Sequence, residues 1–149
     1  MSPEAFTEYL HRNIPLTAAM QLRVLRADGA SIELAAPLAP NRNHRDTAFG
    51  GSLATLGIVA GWALLQQGLT REGVEAHIVV QKNECEFLEP VTAEFFAESR
   101  VPEPEWARFI ATLLRRNRAR ITVHGTLRSA GNEVVRHSGT FVAIRGEPA

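Results

Sequence analysis

The sequence predicts an α+β domain in which a long central helix is wrapped by a six-stranded antiparallel sheet. An N-terminal helix and a short extra helix before the fifth strand are also expected. Three observations carry this. No charged residue occurs between Asp46 and Arg71, and the helix-like run inside that stretch is apolar nearly all round, so something must surround it. Segments of strand-like alternation come in pairs before it, after it and at the end of the chain. Parallel βαβ units would need several crossover helices, and the pattern lacks them.

Taken in order, Ser2-Pro3-Glu4 has the form of a helix start: an N-cap hydroxyl, a first-turn proline and an early acid. That helix should end before Pro15. Met20, Leu22 and Val24 alternate with Gln21 and Arg23, a half-buried strand. Asp28-Gly29 is a hairpin signal, and Ile32, Leu34 and Ala36 resume the alternation until Pro37 and Pro40 stop it. The polar run NRNHRDT leads into Gly50-Gly51 and the apolar helix, expected over about residues 52–67 with Gly68 as its C-terminal cap. Ile78 and Val80 share one strand face, whereas Cys85 and Phe87 have the opposite parity. One face holds both sets only if the strand bulges near Gln81 to Glu84. Ala93, Phe95 and Ala97 begin the next strand. Trp106, Phe109, Ile110, Leu113 and Leu114 form an amphipathic stripe behind Pro104. Ala119, Ile121, Val123, Gly125 and Leu127 then alternate cleanly. Ala130-Gly131-Asn132 turns into a last strand, 134–144, with no repeat or linker, so residues 1–149 read as one domain.

Composition narrows the function classes. A net charge of +0 supplies no global field for nucleic acid or an anionic membrane. The single cysteine, Cys85, excludes an intramolecular disulfide and a thiolate metal cluster. No metal and no separate cofactor are expected. The N-terminus carries acids and no apolar signal region, which with the lone cysteine suits a cytoplasmic protein. The apolar centre, Leu53 to Leu65, is interrupted by Gly57 and Gly61 and falls short of the roughly 20 residues of a membrane span.

The informative segment is Asn41 to Leu53, NRNHRDTAFGGSL. Consecutive glycines at a loop-to-helix junction let a ligand approach the backbone closely. The first amides of a helix are unpaired and lie at the positive end of its dipole, where a carbonyl oxygen is polarised and an oxyanion more so. A glycine-lined helix start with no ligand is the alternative. Ser52 is no nucleophile elbow, because Gly-Gly-Ser is not G-x-S-x-G; it is expected to line the pocket.

Asn43 to Gly51, NHRDTAFGG, resembles the N-x-x-G-T-x-H-G-G loop and helix start of hotdog acyl-CoA thioesterases. The closer match is to the thioesterase family typified by the YiiD C-terminal domain, which favours a segment like N-x-N-x-x-x-T-A-F-G-G-S-L and a later aromatic-Leu-x-Pro, here Phe87-Leu88-Glu89-Pro90. RRNRARITVHGTL and the closing SGTFVAI are also similar, so the likeness covers roughly residues 16–144. The resemblance implies a hotdog fold and a homodimer, or dimer of dimers, whose sheets join. It implies an acyl thioester substrate, carried by coenzyme A or by an acyl carrier protein. It makes the Gly51 amide the leading oxyanion donor, with Gly50 permitting approach, and places Asn43 where an asparagine orients water or thioester. The same loop contributes Asn41, His44, Thr47 and Phe49 as candidate substrate contacts.

The departures are as informative. Phe49 stands where many relatives have histidine, Asp46 where they have glycine, and Ile58 where many carry the helix Asp or Glu. Isoleucine cannot accept a proton, so the base must come from elsewhere; Asp46 is the nearest carboxylate in sequence and His44 the nearest imidazole. As a bland reading, Asp46 caps the following helix. Phe49 and Trp62 are expected to line an acyl tunnel. Lys82 and Asn83, at the expected bulge, are candidates for the partner subunit's pocket. Arg115, Arg116, Arg118 and Arg120 form the basic cluster, either a solvated face or a grip on coenzyme A phosphates or an acidic carrier protein, with Arg118 the leading contact. No aromatic platform interleaves with them, so nucleic acid is not expected. His124 and His137 read as structural or surface residues, and Cys85 as a small core residue. The expected activity is acyl thioester hydrolysis; the alternatives are a non-catalytic acyl-CoA or lipid binder and a hydratase or dehydratase of the same fold.

Overall fold

The computed structural model describes residues 1–146. Helix α1 (Pro3–Asn13) begins as its sequence indicates, with Ser2 Oγ accepting the Ala5 amide at 3.1 Å. Two short elements have no counterpart in the sequence reading: α2 (Pro15–Ala19) and a single 3₁₀ turn, Ala39–Asn41. Strands β1 (Arg23–Ala27) and β2 (Ser31–Ala36) form the first hairpin. Gly29 takes a positive φ of 91°, and Asp28 Oδ1 accepts the amides of Ala30 and Ser31.

Helix α3 (Gly50–Arg71) is 22 residues long, about 33 Å at ~1.5 Å per residue. It starts earlier and ends later than its pattern suggested. Gly68 does not cap it; the residue is interior and buried, and a Cβ there would come within 2.5 Å of the Trp106 ring. The cap is Glu72, followed by Gly73 at φ 69°. The helix is therefore long and apolar enough to cross a membrane by length and composition, yet most of its apolar window is buried within the fold.

The remaining elements are β3 (His77–Phe87), β4 (Phe95–Arg100), α4 (Glu103–Arg116), β5 (Arg118–Ser129) and β6 (Asn132–Ile144). All six strands join one antiparallel sheet in the order β1-β2-β4-β5-β6-β3. Its inner face packs on α3 through Leu34, Phe95, Ile121, Val123 and Phe141. Phe141 fits because glycine faces it on both sides: a Cβ at Gly61 or at Gly139 would stand 2.8 Å from the ring. The β3 ladder slips between Val80 and Lys82, so Gln81 is the extra residue. Ile78 and Val80 face inward before it, and Asn83, Cys85 and Phe87 after it, which resolves the parity conflict in the sequence.

The two sheet edges differ. Along β1 lies α1, where Thr7 Oγ1 accepts the Val24 amide at 2.8 Å. Along β3 no further strand pairs among the described residues, and Val79, Val80, Phe87 and Leu88 are all exposed there. An uncovered edge carrying apolar side chains is a surface suited to pairing.

Candidate active site at the start of the central helix

The loop ahead of α3 is held from within. Asn41 is buried, and its Nδ2 donates to the carbonyls of Met20 at 3.0 Å and Pro37 at 2.8 Å. Its own carbonyl accepts the Phe49 amide at 2.7 Å. Asn43 closes the loop: Nδ2 donates to Thr47 Oγ1 at 2.7 Å, while Oδ1 accepts the amides of Arg45 at 2.8 Å and Thr47 at 3.2 Å. The Ala48 amide donates to Val91 at 2.8 Å. These bonds deliver Phe49 in an extended conformation to the first residue of the helix.

Phe49 is the N-cap, and its side chain has no oxygen to offer the helix amides. The Ser52 and Leu53 amides turn back to its carbonyl, at 2.9 and 3.1 Å. The amides of Gly50 and Gly51 have no acceptor among the described residues. They are unpaired donors at the positive helix end. Gly51 is exposed, and the Phe49 ring, 56% exposed, lies across it so closely that a Cβ would collide. Phe87 of β3 stands in ordinary contact, 3.8 Å from where a Cβ on Gly50 would be. Two free amides thus lie at the helix start, beside the rings of Phe49 and Phe87.

Asp46 does not cap the helix, contrary to the bland reading. It occupies an exposed left-handed turn, φ 61°, and its Oδ1 pairs with Arg42 at 3.2 Å. His44 is exposed beside it, and Ser52 is half-buried in the first turn of α3. Lys82 points away from α3 and pairs with Glu84 at 3.0 Å. Arg118 is not brought to the helix start within one subunit. It pairs through Ile144 with His77 at the opposite end of β3 from Phe87, roughly 30 Å away at ~3.3 Å per residue. Trp62 is half-buried, and its indole N–H donates to the Ile78 carbonyl at 3.1 Å.

The sequence suggests only a structural or surface role for His137, although it shares inward parity with Val135 and Phe141. It is 3% exposed on β6, and its ring lies on α3, 2.7 Å from where a Cβ on Gly57 would be. Nε2 makes a short hydrogen bond to Asn83 Oδ1, and Nδ1 is buried with no partner. Burial pulls its pKa below the ordinary histidine value, and the like charge of His124 acts in the same direction. Cys85, its cross-strand neighbour, is pushed up by burial and stays a thiol. The unfolded chain binds a proton near pH 6.5 that the native state refuses. Unfolding free energy should therefore be constant above that pH and decline as pH falls through it. His137→Gln should flatten this part of the profile, as urea titrations at pH 5 to 8 would show.

Cavities of about 420 and 800 Å³ lie toward the other end of α3, lined by Phe6, Tyr9 and Arg71 in one and by Val74, His77 and Leu114 in the other. The Gly50–Gly51 amides instead lie open beside the bare β3 edge, so a pocket there needs a second wall. No cluster of metal-ligating side chains occurs among the described residues.

A long helix gripped by a six-stranded antiparallel sheet, with its unpaired N-terminus facing outward beside a free strand, defines a hotdog-fold protein. The family model described as "Putative thioesterase (yiiD_Cterm)" matches residues 3–145. The chain belongs to this family. Among solved structures, a protein of unknown function from Chlorobaculum tepidum TLS is similar at 24% identity and TM-score 0.90, over 97% of this chain and 98% of that one. A putative thioesterase from Shewanella oneidensis is similar at 25% identity and TM-score 0.86, over 95% and 96%. A thioesterase from Haemophilus influenzae shares the fold at 13% identity and TM-score 0.75, over 97% and 91%. No curated protein matches the chain in sequence.

Proposed function

We propose that the protein hydrolyses acyl thioesters of coenzyme A or of a carrier protein's phosphopantetheine, in the cytoplasm and without a metal. Water adds to the thioester carbon, the C–S bond breaks, and a carboxylic acid and a thiol leave. The observation that carries this reading is the pair of unpaired amides at Gly50 and Gly51, set at the start of a helix without a side-chain cap. Such donors stabilise the oxyanion more than the ground-state carbonyl, which is what lowers a barrier. Asn43, whose side chain is committed to the loop, acts here as a positioning residue. Asp46 is the carboxylate the loop offers as proton acceptor, and Asp46→Asn tests it. Thiol release from a panel of acyl-CoA and carrier-linked thioesters tests the whole reading; no turnover above background on any of them would sink it. The isoleucine at position 58 favours a second reading, an acyl-CoA binder without turnover, which calorimetry showing tight binding and no product would support.

The second wall of the pocket is another copy of the chain, joined through the β3 edges. Support comes from the bare strand and its exposed Val79, Val80, Phe87 and Leu88. Val80→Lys places a charge on the inward side of that edge, the device by which natural sheets prevent pairing. Sedimentation should show the wild type as a dimer and this variant as a monomer with little hydrolysis. A monomeric wild type with full activity would refute the assembly.

A further inference from the structure

The geometry points to Asn83 as a specificity-determining contact, held in place by His137, that donates a hydrogen bond to an oxygen of the substrate about 10 Å from the thioester carbonyl. This rests on the thioester reading above and deepens it.

Three observations on β3, β6 and α3 lead to this pair. The Gln81 bulge turns Asn83 to the face of β3 that also carries Phe87, and Phe87 borders Gly50. Without the bulge, Asn83 would point to the outer face of the sheet. His137 lies against Gly57, seven residues along the helix from Gly50, or about 10 Å at ~1.5 Å per residue.

The hydrogen bonding separates a supporting group from a contacting one. Asn83 Oδ1 can only accept, so Nε2 of His137 carries the hydrogen between them. Asn83 Nδ2 makes one weak contact, to Cys85 Sγ at 3.8 Å, and its other N–H is free among the described residues. Asn83 is exposed, whereas His137 is buried with Nδ1 unsatisfied. An aliphatic side chain against Gly57 would fill the same space without an orphaned buried acceptor. The imidazole instead fixes which end of the Asn83 amide faces the ring, and leaves one N–H donor of the exposed Asn83 free. Its partner is a carbonyl or hydroxyl oxygen, supplied either by an oxygenated acyl chain or by an amide of the pantetheine arm.

The test compares the wild type with Asn83→Leu on three substrates: a straight-chain acyl-CoA, an acyl-CoA oxygenated far from the thioester, and the straight-chain acyl ester of ethanethiol. Loss of the contact should lower kcat/KM by about 10- to 100-fold. A loss confined to the oxygenated acyl-CoA assigns the oxygen to the acyl chain. A loss on both coenzyme A esters, with the ethanethiol ester unaffected, assigns it to the pantetheine arm. An equal loss on all three, or none, overturns the proposal. His137→Leu should reproduce the loss and His137→Gln, which keeps a donor at the Nε2 position, should largely restore it; the Asn83→Leu/His137→Leu double variant should lose no more than either single one. If His137→Leu fails to fold, Asn83→Leu and His137→Gln still decide. Should the wild type hydrolyse none of the three and no carrier-linked thioester either, the thioesterase reading falls, and calorimetry with a non-hydrolysable thioether analogue of an acyl-CoA judges the contact separately. Binding weakened about tenfold by Asn83→Leu sustains it; unchanged binding, or no binding by the wild type, overturns it.

Discussion

Gly51→Pro is expected to lower kcat for thioester hydrolysis by about 10²- to 10³-fold, the usual consequence of deleting one oxyanion donor. Proline removes the one group at issue, the amide hydrogen, at a place where a helix tolerates it: the first turn has no intrahelical acceptor to lose. Gly50, lacking a Cβ, relieves part of the crowding that proline imposes on the residue before it. Gly51→Ala is the companion variant. It keeps the N–H but drives the Phe49 ring off its seat, and that ring is 56% exposed and free to move. A large loss in the proline variant with a small loss in the alanine variant, both retaining native circular dichroism, isolates the amide. Wild-type rates in the proline variant would remove the chemical basis of the proposed function.

Phe141→Ala should be the most destabilising single change considered, by about 3–5 kcal/mol, because the ring is large and fully buried. The packing makes a sharper prediction about sign. Gly61→Ala alone should cost about 1–3 kcal/mol, since its methyl group would meet the ring at 2.8 Å. In the Phe141→Ala background the same methyl group enters a cavity and should restore part of the lost stability. Urea denaturation of the four proteins in the cycle measures this directly. Additive effects would show that Gly61 and Phe141 do not share the contact described.

Both predictions concern features that were only half visible in the sequence. The Gly50-Gly51 junction was legible because glycine pairs, polar loops and apolar helices are local patterns. That Asn43 spends its side chain on Thr47 and Arg45 was not, because a loop asparagine has many possible partners and the sequence does not rank them. Asp46 could be read as base or cap; in its turn at φ 61° it pairs with Arg42 and caps no helix amide. Gly68 had the look of a helix stop, yet its purpose is set by Trp106, 38 positions later, whose ring needs the space. His137 shared its parity with core residues, but its partnership with Asn83 spans 54 positions and depends on the Gln81 bulge.

The sequence by itself determined the wrapped apolar helix, the six strands, the change of parity in β3 and the unpaired amides at a glycine junction. These follow from hydrophobic period, helix-end chemistry and turn residues, all of which act between near neighbours. Only the tertiary structure decided where α3 ends, which polar side chains are already occupied, which histidine is buried, and which sheet edge is left bare. Those depend on clearance and hydrogen-bond competition among residues far apart in the chain, and such contacts exist only once the sheet has closed around the helix.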